Sequence, residues 1–174
     1  QLFFDFSGYT DIAIGIGLLA GIRLPENFNN PYLKPNLTQF WNNWHMSLTQ
    51  WFRAYFFNPL TRAMRKKGLS IPVIVLTTQV STMLLIGFWH GVTWNYVLWG
   101  LWHGLGLFIN NRWSDRTKAW MDTHITTRSQ RILSQICGVL LTFNFVALGW
   151  IFFALPDLRM SWHVFFTLFG VNFG

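Results

Sequence analysis

The stretch that decides the fold runs from Leu69 to His90 and reads LSIPVIVLTTQVSTMLLIGFWH. It contains no Asp, Glu, Lys or Arg, and an α-helix needs about 20 mainly apolar residues to cross a bilayer. A second apolar stretch, residues 94–110, follows after Gly91. The two stretches predict a pair of membrane helices joined by a short turn, with His90 near the tip of this hairpin.

Three further apolar stretches approach or reach spanning length: residues 2–22, 131–155 and 162–173. The chain is 52% hydrophobic and 11% charged, with a mean hydropathy of +0.30. Such a chain has too little polar surface to cover itself in water. We therefore predict an all-α protein of polytopic transmembrane helices.

The net charge of +7 is concentrated in two segments between apolar stretches, residues 61–68 and 111–131. A basic balance suggests nucleic acid in a soluble protein, but here it follows the positive-inside pattern of membrane proteins. We expect both segments to lie on the cytoplasmic side, with lipid rather than nucleic acid as the partner.

The chain is expected to form one membrane-embedded domain, residues 1–174. Its motifs lie in residues 1–110, and residues 111–174 add further spans. Because Gln1 leads directly into an apolar run, we expect the later part of a longer polytopic protein.

An aromatic segment between the first two spans has helical periodicity. Asn36 and Gln39 form a helix-capping pair. From Phe40, apolar residues recur at i, i+3, i+4 and i+7, which predicts an amphipathic helix that lies at the membrane interface or re-enters the membrane. Pro59 is expected to end it.

Within residues 1–110 three histidines each follow a tryptophan, in the pairs Trp44-His45, Trp89-His90 and Trp102-His103. Ionisable side chains at membrane depth are costly, so each is a functional candidate. His90 is the strongest, because the flanking Gly87 and Gly91 permit close approach of a backbone or a substrate.

Two interpretations of His45 are open. In the helical projection its imidazole lies in the apolar arc, where burial favours the neutral form that suits a general base. The alternative is an interfacial histidine hydrogen-bonded to a carbonyl. For His103 we favour a structural role, because Gly100 and Gly104 suit helix packing.

Asp5 and Asp11 fall within the first apolar stretch, where an unpaired carboxylate is costly. Either aspartate is a candidate for orienting a histidine, as carboxylates do in catalytic triads. Pairing with an arginine, or capping of a helix break, is equally open.

No bound metal or cofactor is expected. His45, His90 and His103 are three imidazoles, but no HExxH-like spacing supports a zinc site. The lone Cys137 offers neither a disulfide nor a cysteine metal site. Phosphate-binding glycine loops of the ATP or NAD type are also absent from the sequence.

In the order and spacing of its motifs the chain resembles the membrane-bound O-acyltransferases, in particular the bacterial alginate O-acetyltransferase-like branch. The resemblance covers about residues 1–110 and rests on the runs Phe3–Asp11, Pro25–Asn29 with Pro31-Tyr32, Phe40–Leu48, Trp51–Arg53, Gly87–Gly91 and Trp99–Gly104.

This resemblance implies that His90 is the catalytic histidine and that His45 is a second functional histidine beside the same tunnel. Trp44, Trp89 and Asn43 would support the site. It also implies a cytoplasmic acetyl thioester donor, most simply acetyl-CoA, periplasmic partner proteins, a polysaccharide or carrier hydroxyl as acceptor, and the bacterial inner membrane.

Two positions depart from the family pattern. Ala54 follows Arg53 where the family usually has an aspartate, and Asn42-Asn43 stands where alginate-type members tend to have two arginines. Relative to that pattern, we expect either the loss of a salt bridge between the aspartate and the arginines or an altered contact with an anionic donor. The D-alanyl transferases of teichoic acid are a related alternative, and a non-catalytic transporter or scaffold is the alternative from another class.

Overall fold

The computed structural model describes residues 1–171, which contain helices and no strands. The elements are α1 (Leu2–Leu19), a 3-10 helix (Pro31–Leu33), α2 (Leu37–Asn43), α3 (Met46–Phe52), a π-helix (Arg53–Phe57), α4 (Asn58–Lys66), α5 (Ile71–His90), α6 (Trp94–His124), α7 (Arg128–Ala154) and α8 (Leu158–Thr167). The predicted all-α class is confirmed.

Three of these helices, α1, α5 and α7, are long and apolar enough to cross a membrane. The apolar runs of the sequence predict five such stretches. One of the other two, residues 94–110, lies in α6, which continues as a helix through the basic residues to His124. The other, residues 162–173, overlaps α8 and ends outside the described residues.

The predicted hairpin is present as the antiparallel pair of α5 and α6, and glycines bring the two helices together. A Cβ atom added at Gly87 would lie 2.5 Å from the carbonyl oxygen of Tyr96. At Gly100 it would lie 2.8 Å from the carbonyl oxygen of Met83, and at Gly104 2.7 Å from Cα of Val80. Backbones that approach this closely leave room for no side chain, as is common in membrane helix pairs.

The aromatic segment is not the single amphipathic helix that its periodicity predicts. Asn36 does cap α2 by accepting a hydrogen bond from the Gln39 N–H at 2.9 Å, as expected. The helix then breaks at Trp44 and His45 before α3 begins. Pro59 lies in the first turn of α4 rather than ending the helix. A proline lacks the N–H that helix interiors require, and the preceding π-helical turn accommodates it.

From Met46 to Lys66 the chain runs back along α5 in the opposite direction. Thr49 and Ile86 line a common cavity, and Phe57 and Gln79 also meet there. At 1.5 Å per residue this run is about 30 Å long. The start of α5 and the end of α6 therefore lie at the end of the hairpin opposite His90, and both basic segments lie there too.

The core is aromatic and sits where α2 and α3 meet α6 and α7. Trp44 stacks on Phe40 with ring centroids 5.5 Å apart and packs against Trp150 of α7 at 5.0 Å. The Trp150 indole N–H donates a hydrogen bond of 3.0 Å to the hydroxyl of Tyr32. These contacts attach α7 to the segment that carries His45.

Candidate active site

His45 lies at the break between α2 and α3, in a left-handed backbone conformation (φ 43°, ψ 57°). The break comes with a short antiparallel pairing of residues 27–29 against residues 43–46. Phe28 bridges Trp44, the Asn29 N–H donates to the Asn43 carbonyl at 3.1 Å, and the Met46 N–H donates to the Asn27 carbonyl at 3.0 Å. His45 is therefore the N-cap residue of α3, not an interior helical residue.

The imidazole of His45 is half-buried among aromatic rings. It meets the edge of Phe6 at 4.8 Å and lies 6.1 Å from Trp89, measured between ring centroids. Its Nδ1 atom is buried and has no hydrogen-bond partner within residues 1–171, so the interpretation as a carbonyl-bonded histidine finds no partner there. Burial lowers the pKa of His45, which keeps the ring neutral at pH 7.

His90 is the last residue of α5, at the tip of the hairpin as expected. Its ring meets the edge of Phe153 at 4.8 Å and that of Trp99 at 5.8 Å, and it lies nearly parallel to Tyr96 at 6.0 Å. Helices α5, α6 and α7 all contribute to this enclosure. Gly87 and Gly91 face the backbone oxygen and the ring of Tyr96 respectively, so they serve helix packing rather than substrate access.

His45 and His90 line one cavity of about 210 Å³. The remaining lining is almost entirely apolar and consists of Leu2, Phe6, Trp41, Trp44, Leu48, Thr49, Ile86, Trp99, Trp150 and Phe153. The structure thus brings together two histidines that are separated by 44 intervening residues. Two neutral imidazoles in a mainly apolar cavity can accept and pass a proton.

The three predicted supporting residues of the Trp-His motifs occupy different places. Trp44 is buried and lines the cavity. Trp89 is 57% exposed, with its ring 4.7 Å from His90. Asn43 lies outside the cavity lining, and its side chain donates a hydrogen bond of 2.7 Å to the Gln39 carbonyl.

The remaining three predicted site residues, Asp5, Asp11 and His103, lie outside the cavity lining. Asp5 and Asp11 are exposed on α1, so an orienting role for either carboxylate remains a prediction. His103 is fully buried, with both ring nitrogens unpartnered within the described chain. Its ring packs against Trp41 and Trp99 at 5.1 Å, behind the cavity wall.

A second cavity of about 260 Å³ adjoins the first and shares Trp41, Thr49 and Ile86 with it. It is more polar. Arg53 donates a hydrogen bond to Asn42, and both side chains line this second cavity. Gln79 also lines it, 92% buried, with an unpartnered Oε1 atom.

Trp150 and Phe153 are not predicted from the sequence as site residues, because α7 carries none of the short motifs. The one local signal is Gly149 before Trp150. A Cβ atom at Gly149 would lie 2.6 Å from Nε2 of His103, so this glycine lets α7 approach the histidine-bearing hairpin. Within residues 1–171, no three His, Cys, Asp or Glu side chains form a group that could hold a metal ion.

The fold and this cavity define a class: an integral membrane protein of packed helices in which two histidines line one narrow aromatic cavity, here called the chamber. The chain belongs to the membrane-bound O-acyltransferase family, whose model matches residues 1–155. The resemblance seen in the motifs is confirmed, and it extends beyond residue 110 into α7, which completes the chamber.

Several curated bacterial proteins are similar to almost the whole chain. A peptidoglycan O-acetyltransferase of Helicobacter pylori is 38% identical over 99% of this chain and 30% of its own length. A probable alginate O-acetylase of Pseudomonas aeruginosa is 37% identical over 98% and 29%. A teichoic acid D-alanyltransferase of Streptococcus thermophilus is 35% identical over 88% and 39%. The chain thus spans about a third of the length of these relatives.

Proposed function

We propose that this chain carries the catalytic chamber of a membrane O-acyltransferase, which moves an acetyl or other short acyl group from a thioester to a hydroxyl. The observation that carries the proposal is the meeting of His45 and His90 in one apolar cavity. Family membership supports the reaction class.

His90 is proposed as the general base. A neutral imidazole accepts the proton of the acceptor hydroxyl as its oxygen attacks the thioester carbonyl carbon. The new C–O bond forms, the C–S bond breaks, and the proton passes from His90 to the departing thiolate. His45 is proposed to hold the acceptor hydroxyl or to polarise the carbonyl, since its ring lines the same cavity.

The size of the chamber supports a short acyl group. An apolar cavity of ~150 Å³ holds a benzene ring, which has six carbon atoms. The reacting ends, a thioester S–CO–CH₃ and an acceptor C–OH, together have six non-hydrogen atoms. A cavity of about 210 Å³ accommodates both with little room for water, which limits hydrolysis of the thioester.

We assign the adjoining cavity to the donor. Acetyl-CoA is the proposed donor, and its pantetheine arm carries two amides that suit Gln79 and Arg53. The basic residues near Lys66 lie at the far end of the run from Met46 to Lys66, and they would attract the phosphates of acetyl-CoA. With these residues on the cytoplasmic side, the donor enters from the cytoplasm of a bacterium whose inner membrane holds the protein.

The proposed acceptor is a hydroxyl of an exopolysaccharide or cell-wall polymer, or of a periplasmic partner protein that passes the acetyl group on. The similarity to an alginate O-acetylase and to a peptidoglycan O-acetyltransferase favours acetyl transfer outward. D-alanyl transfer to teichoic acid is the second candidate, favoured by the teichoic acid D-alanyltransferases at 35–36% identity.

Full-length protein in lipid vesicles, supplied with labelled acetyl-CoA and polysaccharide, tests the proposal. We expect labelled ester from the wild type and a loss of about 10²- to 10⁴-fold for His90→Ala, the range that general-base catalysis contributes. A parallel assay with a D-alanyl thioester of a carrier protein separates the two donors.

His163→Ala is the matched control, because His163 is exposed on α8 and lies outside the chamber. It should keep wild-type activity. Ester formation at the wild-type rate by His90→Ala would remove the proposed mechanism, and substrate movement across the vesicle without ester formation would favour a transporter.

A further inference from the structure

The backbone of His45 is in a region that L-amino acids avoid. Only two non-glycine residues among residues 1–171 have positive φ, Asn30 and His45. A left-handed conformation costs roughly 1–2 kcal/mol for a residue with a Cβ atom. It persists only where neighbouring groups hold it.

Asn27 forms hydrogen bonds with both residues that follow this turn. Its carbonyl oxygen accepts the N–H of Met46 at 3.0 Å. Its side-chain Oδ1 accepts the N–H of Ser47 at 3.2 Å and the hydroxyl of Ser47 at 2.7 Å. Three hydrogen bonds thus join one asparagine to the two residues that follow His45.

Met46 and Ser47 are the first two residues of α3, and the first N–H groups of a helix have no partner within it. A Ser, Thr, Asp or Asn at the N-cap position normally accepts one of them. The N-cap residue here is His45, and its side chain makes no such bond. Asn27 supplies the cap from another segment, which leaves the imidazole at the N-cap position free to face the cavity.

We propose that Asn27 is a positioning residue for acyl transfer: its carboxamide caps α3 and thereby holds His45 in the left-handed turn that directs the imidazole toward His90. The inference rests on the proposed function. It adds a residue that touches neither substrate nor the reacting atoms and acts only through His45.

Full-length Asn27→Ala should lower kcat by about 10- to 100-fold, since a displacement near 1 Å can cost 10²-fold. The KM for acetyl-CoA should stay within twofold, because the donor's arm lies in the adjoining cavity. Asn27→Asp keeps an acceptor oxygen in place and should restore kcat to within a few-fold. Asn29→Ala is the matched control, since only its backbone N–H is used in the pairing.

A double-mutant cycle separates positioning from general stabilisation. His45→Asn keeps a residue that tolerates positive φ but removes the imidazole. In that background Asn27→Ala should change the residual kcat by less than twofold. Ser47→Ala removes only the 2.7 Å hydrogen bond from the Ser47 hydroxyl to Asn27. It replaces Asn27→Ala in the same cycle if Asn27→Ala does not fold.

The outcomes distinguish the two proposals. An inactive wild-type protein would overturn the proposed function itself. An active wild type with undiminished kcat in Asn27→Ala, or with an equal loss of kcat in the wild-type and His45→Asn backgrounds, would overturn the positioning role alone.

Discussion

Gly87→Ala tests whether the contact between α5 and α6 sets the position of His90. A methyl group at residue 87 would lie 2.5 Å from the Tyr96 carbonyl oxygen, whereas ordinary contacts begin at 3.4 Å. The helices must therefore separate by about 0.9 Å at that level. His90 lies one helical turn away, at the end of α5, so nearly the whole displacement reaches its imidazole.

Two opposing effects set the stability loss of Gly87→Ala, and a third effect sets its loss of kcat. Overpacking costs about 1–3 kcal/mol, and alanine favours a helix over glycine by ~1 kcal/mol. The net loss of stability is therefore about 0–2 kcal/mol. A displacement near 1 Å at a reacting group costs up to ~10²-fold in rate, so kcat should fall by more than the stability loss explains.

Gly104→Ala is the matched variant. Its methyl group would lie 2.7 Å from Cα of Val80, a similar overlap, but Val80 is ten residues from His90, or about 15 Å along α5. Gly15→Ala is the second control, because nothing lies within 4 Å of its added methyl group. It should stabilise α1 slightly.

The assay is acyl transfer at saturating donor beside the denaturant midpoint of each purified full-length variant. We expect Gly87→Ala and Gly104→Ala to shift the midpoint alike, with a large loss of kcat in Gly87→Ala alone. Equal losses of kcat in both variants, or wild-type kcat in Gly87→Ala, would refute the geometric reasoning.

Three further predictions concern the two cavities and the helix ends. Because burial lowers the pKa of His45, the ring nitrogen that would accept a hydrogen bond from the acceptor hydroxyl should be protonated, and its contribution lost, only as pH falls below the ordinary value near 6.5. Phe6→Ala, which hydrates the ring, should move this acid limb of the kcat profile to higher pH, and an unmoved limb would contradict the assignment. Gln79→Leu removes the proposed contact with the donor, and loss of a hydrogen bond of about 0.5–1.5 kcal/mol should raise the KM for acetyl-CoA about 2- to 13-fold at constant kcat; an unchanged KM would place the donor elsewhere. Thr127→Ala removes the capping box of α7 and should cost about 0.5–2 kcal/mol of stability without changing kcat, as read from the denaturant midpoint and the transfer rate.

Much of this arrangement is predictable from the sequence because its causes are local. The apolar run that ends at His90 predicts a helix and places this residue at the tip of the hairpin. The Asn36 and Gln39 pair predicts the start of α2. Both depend only on residues a few positions apart, so composition and spacing are sufficient to identify them.

The break at His45 has a distant cause and leaves no local signal. The aromatic periodicity continues through residues 44 and 45, so it predicts one unbroken helix. The pairing with residues 27–29 overrides that preference. The short motifs likewise do not predict Trp150 and Phe153, because the role of these residues depends on how α7 packs against α6.

The two histidines lie at the same end of two adjacent helical runs of similar length. His90 ends α5, which has 20 residues, and His45 precedes the run from Met46 to Lys66, also about 30 Å long; the two runs are joined at residues 67–70. Their relative height is therefore fixed by this shared link and by their mutual packing rather than by the lipid. Bilayers of different thickness should tilt both runs together, so the distance between the imidazoles, and the intrinsic rate of the chamber, should be insensitive to acyl-chain length of the host lipid.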